Sequence, residues 1–134
     1  MKSKEKHSEQ KTIFVVDDNR LLGKLVTELL LKSGYIVLTA TSGPAALKQS
    51  RAYDGPIDLL LSDFQMPALS GIDLANQITH DRPEIKVLLM SGFPEGMLVL
   101  NEGWHFLAKP FIPSQLLTLV SRLITPDKPT RFVA

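Results

Sequence analysis

The sequence predicts an α/β fold built on a doubly wound parallel sheet. Five short apolar segments alternate with segments of helical period, which is the pattern of successive βαβ units. The first of these segments is apolar at almost every position, as expected for a strand that is covered on both faces. The length of 134 residues fits a single domain of common size.

The first half of the chain supplies two predicted strands and two predicted helices. Residues 12–17 (TIFVVD) and 35–40 (YIVLTA) are rich in β-branched and apolar side chains and predict strands. Between them, residues 19–34 change to a helical period, with Asn19 placed to cap the helix and Gly34 placed to end it. Residues 42–52 predict a second, shorter helix that Ser42 would cap.

The second half continues the alternation. Strands are predicted at residues 57–62, 85–91 and 103–108, and helices at 71–81 and 113–124. Prolines and glycines interrupt the stretch between the last two strands, so the fourth helix is predicted to be short or absent. Five strands at this chain length favour the flavodoxin-like strand order 2-1-3-4-5, with right-handed crossovers.

These elements place one domain at residues 12–124. Residues 1–11 are polar and have no periodicity, which predicts a disordered leader. Residues 125–134 contain two prolines and predict a short C-terminal tail.

Composition excludes several classes of function. The net charge of +1 lacks the basic excess of a protein that binds nucleic acid or a membrane surface. The absence of cysteine excludes disulfides, thiolate catalysis and zinc–cysteine sites. No apolar stretch is long enough to span a bilayer, and the N-terminal residues lack the apolar core of a signal peptide. We therefore expect a cytoplasmic protein without nucleic-acid binding or membrane insertion.

Ionisable and polar side chains gather where the predicted strands end. Strand one ends at Asp17 and Asp18, strand three at Asp63, strand four at Ser91, and strand five just before Lys109. In the predicted strand order these ends are neighbours, and ligands bind at this edge of such sheets. The three carboxylates repel one another, so a bound cation and the lysine are expected to compensate them.

The chemistry of this set of side chains favours a hard cation and a phosphoryl group. Oxygen ligands without imidazole or thiolate favour Mg²⁺, for which Mn²⁺ can substitute. Asp63 is central in the set and can act as a nucleophile that forms an acyl phosphate. Phosphoryl transfer needs in-line positioning and charge neutralisation, which these groups could supply.

Four segments carry a resemblance to a known family: VVDDN, LLLSDFQMP with the following Ser70-Gly71, LLMSG and LAKPF. In this order, each at a predicted strand end, they resemble the motifs of the two-component response regulator receiver (CheY-like) domain over about residues 12–124. SGFPEG and FLAKPF resemble receivers that are attached to hybrid histidine kinases. The resemblance implies a phosphorylation-switched signalling domain, not an enzyme acting on other molecules. It would be free-standing or part of a hybrid histidine kinase.

The resemblance also implies roles for the acidic residues. Asp63 would be the phosphoacceptor, charged by the phosphohistidine of a histidine kinase or a histidine phosphotransfer protein. Asp17 and Asp18 would hold Mg²⁺ together with Asp63 and the backbone carbonyl of Gln65. Gln65 and Phe93 would flank the approach of water and so tune dephosphorylation.

The remaining motif residues are implied to form the switch. Ser91 and Lys109 would bind the phosphoryl group, and the peptide bond before Pro110 would be cis. Phe106 occupies the aromatic switch position and would turn inward when Ser91 moves. The surface over strands four and five would then change for a downstream protein of unknown identity.

Two departures from the family pattern stand out. Phe106 lacks the hydroxyl of the commoner tyrosine, and Ile112 stands where a serine or threonine usually caps the last helix.

Three other classes compete with this interpretation. A phospho-aspartate hydrolase of the haloacid dehalogenase type needs a second aspartate where this chain has Gln65. A flavodoxin-type cofactor binder needs a phosphate loop after strand one, where DDNR would repel the phosphate. A receiver-shaped interaction module that is never phosphorylated stays open, although the intact acidic pair, Asp63 and Lys109 argue against it.

Overall fold

The computed structural model describes residues 10–92 and 103–124. Within these ranges every predicted strand and four predicted helices are confirmed, with ends that shift by at most two residues. The predicted short helix between the last two strands falls on residues 93–102, outside the described part. In chain order the elements are β1 Thr12–Val16, α1 Arg20–Lys32, β2 Ile36–Ala40, α2 Gly43–Ala52, β3 Leu59–Asp63, α3 Gly71–Asp81, β4 Lys86–Ser91, β5 Trp104–Ala108 and α4 Pro113–Ile124.

The five strands form one parallel sheet. Their order is β2-β1-β3-β4-β5, which confirms the predicted topology. The third strand begins and ends later than predicted, so that Asp63 is its last residue and pairs in register with Met90 of β4. The strand order changes direction between β1 and β3, and the carboxyl ends of these two central strands therefore border the crevice where ligands bind in such sheets.

Helices cover both faces of the sheet, which explains why the strands are nearly all apolar. On the first face, α1 and α4 pack against side chains of alternate strand positions such as Val15, Leu61 and Met90. On the second face, α2 and α3 pack against the intervening positions, such as Leu60 and Leu89. Both central strands are buried along their whole length, and β2 at the edge is partly exposed.

The helix ends follow the expected capping chemistry. Asn19 and Ser42 accept hydrogen bonds from the backbone N–H groups of Leu22 and Ala45, which confirms both predicted caps. Gly34 follows α1 with a φ of 95°, a conformation that favours glycine. Within the described ranges, no helix combines the length and the apolar character needed to cross a bilayer.

Candidate functional site

Three carboxylates meet at the carboxyl end of the central strands. Asp17 directly follows β1, Asp18 comes next, and Asp63 ends β3. One oxygen from each carboxylate lies within 4.8 Å of the other two. Asp17 and Asp63 are buried, with 2% and 9% of their surface exposed, whereas Asp18 is exposed. The predicted acidic cluster is therefore present, and it opens to solvent on the side of Asp18.

Asp17 is in an unfavourable electrostatic environment. Burial raises the pKa of its carboxyl group above the ordinary value of 3.8, and the nearby charges of Asp63 and Asp18 raise it further. The Asn19 backbone N–H, which donates to Oδ1 at 2.9 Å, lowers this pKa in part, as does the charge of Lys109. The net shift in the pKa of Asp17 is upward, so its carboxyl group is harder to ionise in the folded protein than in an exposed aspartate.

The second oxygen of the same carboxylate has no hydrogen-bond partner in the described part of the chain. Oδ2 of Asp17 is buried and makes no hydrogen bond to any of the residues that the structure describes. A buried carboxylate oxygen in this position is costly unless a cation or a donor satisfies it. Together with the two neighbouring carboxylates, it forms a set of hard oxygen ligands that fits Mg²⁺ or Mn²⁺.

Lys109 supplies the positive charge of the site. Its Nζ donates to Oδ1 of Asp63 at 2.7 Å, and the two side chains are 27% and 13% exposed. Its backbone N–H donates to the carbonyl of Ser91 at 2.8 Å, which joins the ends of β4 and β5. The peptide bond between Lys109 and Pro110 is cis, the isomer that the sequence motif implies. The lysine is thus held by its backbone on one side and by the central carboxylate on the other.

Two of the predicted switch residues, Ser91 and Phe106, lie on the second face of the sheet. Ser91 is 3% exposed and lies two residues after Leu89 in β4, so the two residues are on the same face. Phe106 of β5 pairs in register with Leu89 and is half-buried in the cluster on the same face. The backbone and strand register therefore bring Ser91 and Phe106 to one face. Gln65 is exposed in the β3–α3 loop, and Phe93 falls outside the described residues.

Two residues near Asp63 were not predicted from the sequence. The Phe64 ring lies 5.6 Å from the Phe106 ring, measured between centroids, with a tilt of 55° between their planes. A Cβ on Gly71 would lie 2.2 Å from the backbone oxygen of Asp63. The glycine in the motif after Asp63 could have indicated a close approach of this kind. No short-range pattern indicates the ring pair, because its members are 42 residues apart.

Comparisons with known proteins agree with this geometry. Residues 13–121 match the response regulator receiver domain family. The chain is 31% identical over 117 residues to the sensor kinase CckA of Brucella abortus, covering 84% of this chain and 12% of the kinase. It is 28% identical over 120 residues to the response regulator receiver protein CpdR of the same organism, covering 85% of this chain and 97% of CpdR.

A solved structure gives the same result for the fold. The response regulator TrrA of Thermotoga maritima, solved in complex with Mg²⁺ and BeF, superposes with a TM-score of 0.77 at 30% identity. The match covers 86% of this chain and all of TrrA. The family match extends over most of the chain. The strand order is the predicted one, and the acidic cluster and the lysine lie where the motifs place them. The chain therefore belongs to the response regulator receiver domain family of two-component signalling.

Proposed function

We propose that this receiver accepts a phosphoryl group on Asp63, with Mg²⁺, from a phosphohistidine on a histidine kinase or a histidine phosphotransfer protein. The observation that carries the proposal is the contact of 2.7 Å between Lys109 and Asp63 beside two further carboxylates. We take residues 12–124 as the receiver unit. The proposed chemistry is limited to transfer onto and off the chain's own aspartate.

The transfer is a substitution at phosphorus. One carboxylate oxygen of Asp63 forms the new P–O bond while the P–N bond to the imidazole breaks, and the electron pair of that bond leaves with the imidazole. Lys109 already donates to Oδ1 of Asp63 and so can hold the carboxylate in one orientation for the attack. After the transfer, its ammonium group is close enough to donate to a phosphoryl oxygen instead.

The metal would be held by the acidic cluster. Asp17, Asp18 and Asp63 would supply carboxylate oxygens and Gln65 its backbone carbonyl, and the buried unpartnered oxygen of Asp17 supports this assignment. When bound, Mg²⁺ would offset the negative charge that the phosphoryl group and the carboxylates bring together.

Phosphorylation would switch the second face of the sheet. A phosphoryl group adds about −1.5 to −2 charges and three strong acceptor oxygens at one point. We propose that Ser91 and Lys109 bond to it and that Phe106 moves as Ser91 does. This movement would change the surface beside β4 and β5 that a downstream protein contacts.

An apolar groove beside the site supports a protein phosphodonor as the partner. The groove has a volume of about 400 Å³ and lies between α1 and the start of α4; it is lined by Leu22, Leu25, Val26, Leu29, Lys109, Pro110, Phe111 and Pro113. Leu21 and Leu25 on the same helix are 79% and 52% exposed. Lys109 lines both this groove and the phosphoacceptor site, so a partner seated in the groove would lie next to Asp63.

The chain spans only a fraction of several relatives, including 12% of the sensor kinase and 25% of the transcriptional regulator NtrC of Azospirillum brasilense. The proposal therefore concerns the receiver itself. A receiver of this kind occurs within the much longer sensor kinase CckA and makes up nearly the whole of CpdR.

The test is the intact mass after incubation with acetyl phosphate, with and without Mg²⁺. We expect one phosphoryl adduct that requires Mg²⁺ and is absent from Asp63→Asn. The matched control is Asp54→Asn, an exposed aspartate before β3, which should be labelled like the wild type. No adduct, under conditions that label another receiver, would overturn the proposal and favour an interaction module that is not phosphorylated.

A further inference from the structure

We infer that Phe64 couples the phosphoacceptor to the Phe106 ring. The contact between the two rings stabilises the arrangement in which Lys109 pairs with the unmodified Asp63 carboxylate, and it opposes the rearrangement that a phosphoryl group induces. This inference rests on the proposed function and adds to it a positioning residue that lies outside the set of charged groups.

The first step is the position of Phe64 in the chain. Successive residues of a strand point to opposite faces of the sheet. The β3 residues Leu59 and Leu61 belong to the first-face cluster and Leu60 to the second-face cluster. Asp63 continues the first series, whereas Phe64 packs with the second-face cluster. Phe64 therefore directly follows Asp63 in the chain and packs on the face that carries Ser91 and Phe106.

The second step is the anchoring of the Phe64 backbone. Its N–H donates to the carbonyl of Met90 at 2.8 Å, and Met90 directly precedes Ser91. Its carbonyl accepts from the N–H of Gly71 at 2.9 Å, at the first residue of α3. A shift of Asp63 therefore acts on Phe64 through the peptide bond that joins them. A shift of Ser91 acts through Met90, whose carbonyl accepts from the Phe64 N–H.

The third step is the ring contact. A centroid distance of 5.6 Å and a tilt of 55° lie within the range of attractive aromatic pairs. Phe106 carries no hydroxyl and cannot be fixed by a side-chain hydrogen bond, so ring packing decides where it rests. Both rings are only half-buried and thus belong to the margin of the core, where a side chain can change position. A Phe106 ring that moves toward Ser91 must change its contact with Phe64.

The test is a double-mutant cycle on the affinity for beryllofluoride, a phosphoryl mimic, in the presence of Mg²⁺. Trp104 is the only tryptophan of the chain and lies two residues before Phe106 in the same cluster, so its fluorescence provides the readout. The four proteins are the wild type, Phe64→Leu, Phe106→Leu and the double variant. We expect Phe64→Leu to tighten binding about two- to tenfold, the range that an aromatic pair supports.

The decisive comparison is the same substitution in the Phe106→Leu background, where no ring pair remains. There we expect Phe64→Leu to leave the beryllofluoride affinity unchanged. Phe64→Tyr keeps the ring and should bind like the wild type. Tyr53→Leu removes a half-buried aromatic of the same cluster away from the site and should not alter binding. Thermal unfolding of each variant separates these effects from general destabilisation.

The outcomes distinguish this inference from the proposed function. If the wild type binds beryllofluoride but the two substitutions act independently, the coupling is wrong. The coupling is also wrong if Phe64→Leu weakens binding. In both cases the proposal that Asp63 is the phosphoacceptor stands. If the wild type itself does not bind beryllofluoride with Mg²⁺, the proposed function fails and the coupling fails with it.

Discussion

At the level of single residues, the site concentrates like charges in a small and largely buried volume. Lys109 offsets part of the negative charge through Asp63, but Oδ2 of Asp17 has no hydrogen-bond partner among the described residues. Burial and the charges of its neighbours oppose the ionisation of Asp17, so this residue costs stability in the absence of a cation. A carboxylate that would bind a divalent cation therefore lowers the stability of the metal-free protein.

Replacement of Asp17 by asparagine should stabilise the metal-free protein at neutral pH. The pKa of Asp17 in the folded state is raised above its ordinary value of 3.8, mainly by burial, so the folded state binds this proton more tightly than the unfolded state. Its contribution is most favourable below pH 3.8 and is lost as the pH rises through the raised value. We expect Asp17→Asn to raise the unfolding temperature at pH 7 in EDTA by several degrees.

The asparagine keeps the oxygen that accepts from Asn19, so the comparison isolates the charge. Asp18→Asn is the control, since Asp18 is exposed and its replacement should change the unfolding temperature of the metal-free protein much less. In Mg²⁺ the advantage of Asp17→Asn should disappear. A lower unfolding temperature for Asp17→Asn in EDTA would contradict the argument from burial.

At the level of elements, short backbone contacts hold the site residues in register with the helices that follow. The first residue of α3 is Gly71, which packs against the backbone of Asp63 and donates to the carbonyl of Phe64. Ser70 caps this helix through the N–H of Asp73, a cap that its position before the helical segment could have predicted. The two ends of the β3–α3 loop are thus joined to each other, and Asp63, the proposed phosphoacceptor, lies at one of them.

Gly71→Ala should destabilise the fold and impair the site together. A Cβ there would meet the Asp63 backbone oxygen at 2.2 Å, and backbone cannot yield as a flexible side chain can. We expect a loss of about 1–3 kcal/mol in unfolding free energy, as for other overpacked positions. Mg²⁺-dependent labelling by acetyl phosphate should fall as well.

Gly23→Ala in α1 is the matched control for this substitution. Its added Cβ would have one neighbour at 3.8 Å, and the helix should gain about 0.5–1 kcal/mol from the lower entropy of the unfolded chain. Chemical denaturation of both variants gives the comparison. Equal effects of the two substitutions would show that close packing at Gly71 is not what requires glycine.

The last helix offers a substitution that should stabilise the protein. α4 begins at Pro113, and Ile112 before it has no side-chain oxygen to cap the helix, although Gln115 Oε1 already accepts from the Ile112 N–H at 2.9 Å. Ile112→Ser would complete a reciprocal capping box with Gln115. We expect a gain of about 0.5–1.5 kcal/mol in unfolding free energy, measured by denaturant titration.

Ile112→Ala is the control for this substitution. It removes the apolar side chain, which is 59% exposed, without adding a cap. The alanine variant should gain little or nothing. A stabilisation of the same size in both variants would attribute the effect to the lost exposed isoleucine.

At the level of the whole molecule, the acidic cluster and Phe106 belong to different strands of one sheet. The acidic cluster is attached to the central strands, both buried along their length, whereas Phe106 belongs to β5 at the sheet edge. The acidic residues thus lie at the ends of buried strands, and Phe106, the residue that is proposed to move, is on a strand with a single neighbour in the described sheet.

Because the proposed cation site joins the ends of the central strands, we expect Mg²⁺ to stabilise the domain as a unit. We expect millimolar Mg²⁺ to raise the unfolding temperature in a single transition, with a gain of about 2.7 kcal/mol once its concentration is a hundred times the dissociation constant. Asp63→Asn should reduce this gain. Sodium chloride at matched ionic strength is the control, and an equal shift with sodium would attribute the effect to charge screening.

The sequence by itself determined the fold class, the strand order and the motif residues of the site. Strand and helix periodicities are local, and the carboxyl ends of parallel strands must meet at one edge, so Asp17, Asp18, Asp63 and Lys109 could be placed together before any coordinates. The caps at Asn19 and Ser42 were predictable for the same reason, since a cap bonds within its own first turn.

Only the tertiary structure decided which distant groups touch. The contact of Phe64 with Phe106 and the unpartnered oxygen of Asp17 among the described residues depend on distances between segments that no periodicity encodes. The reason is physical: alternation along a strand sets the face on which a side chain lies. The packing of both faces sets how near that side chain comes to its neighbours and how much water remains around it.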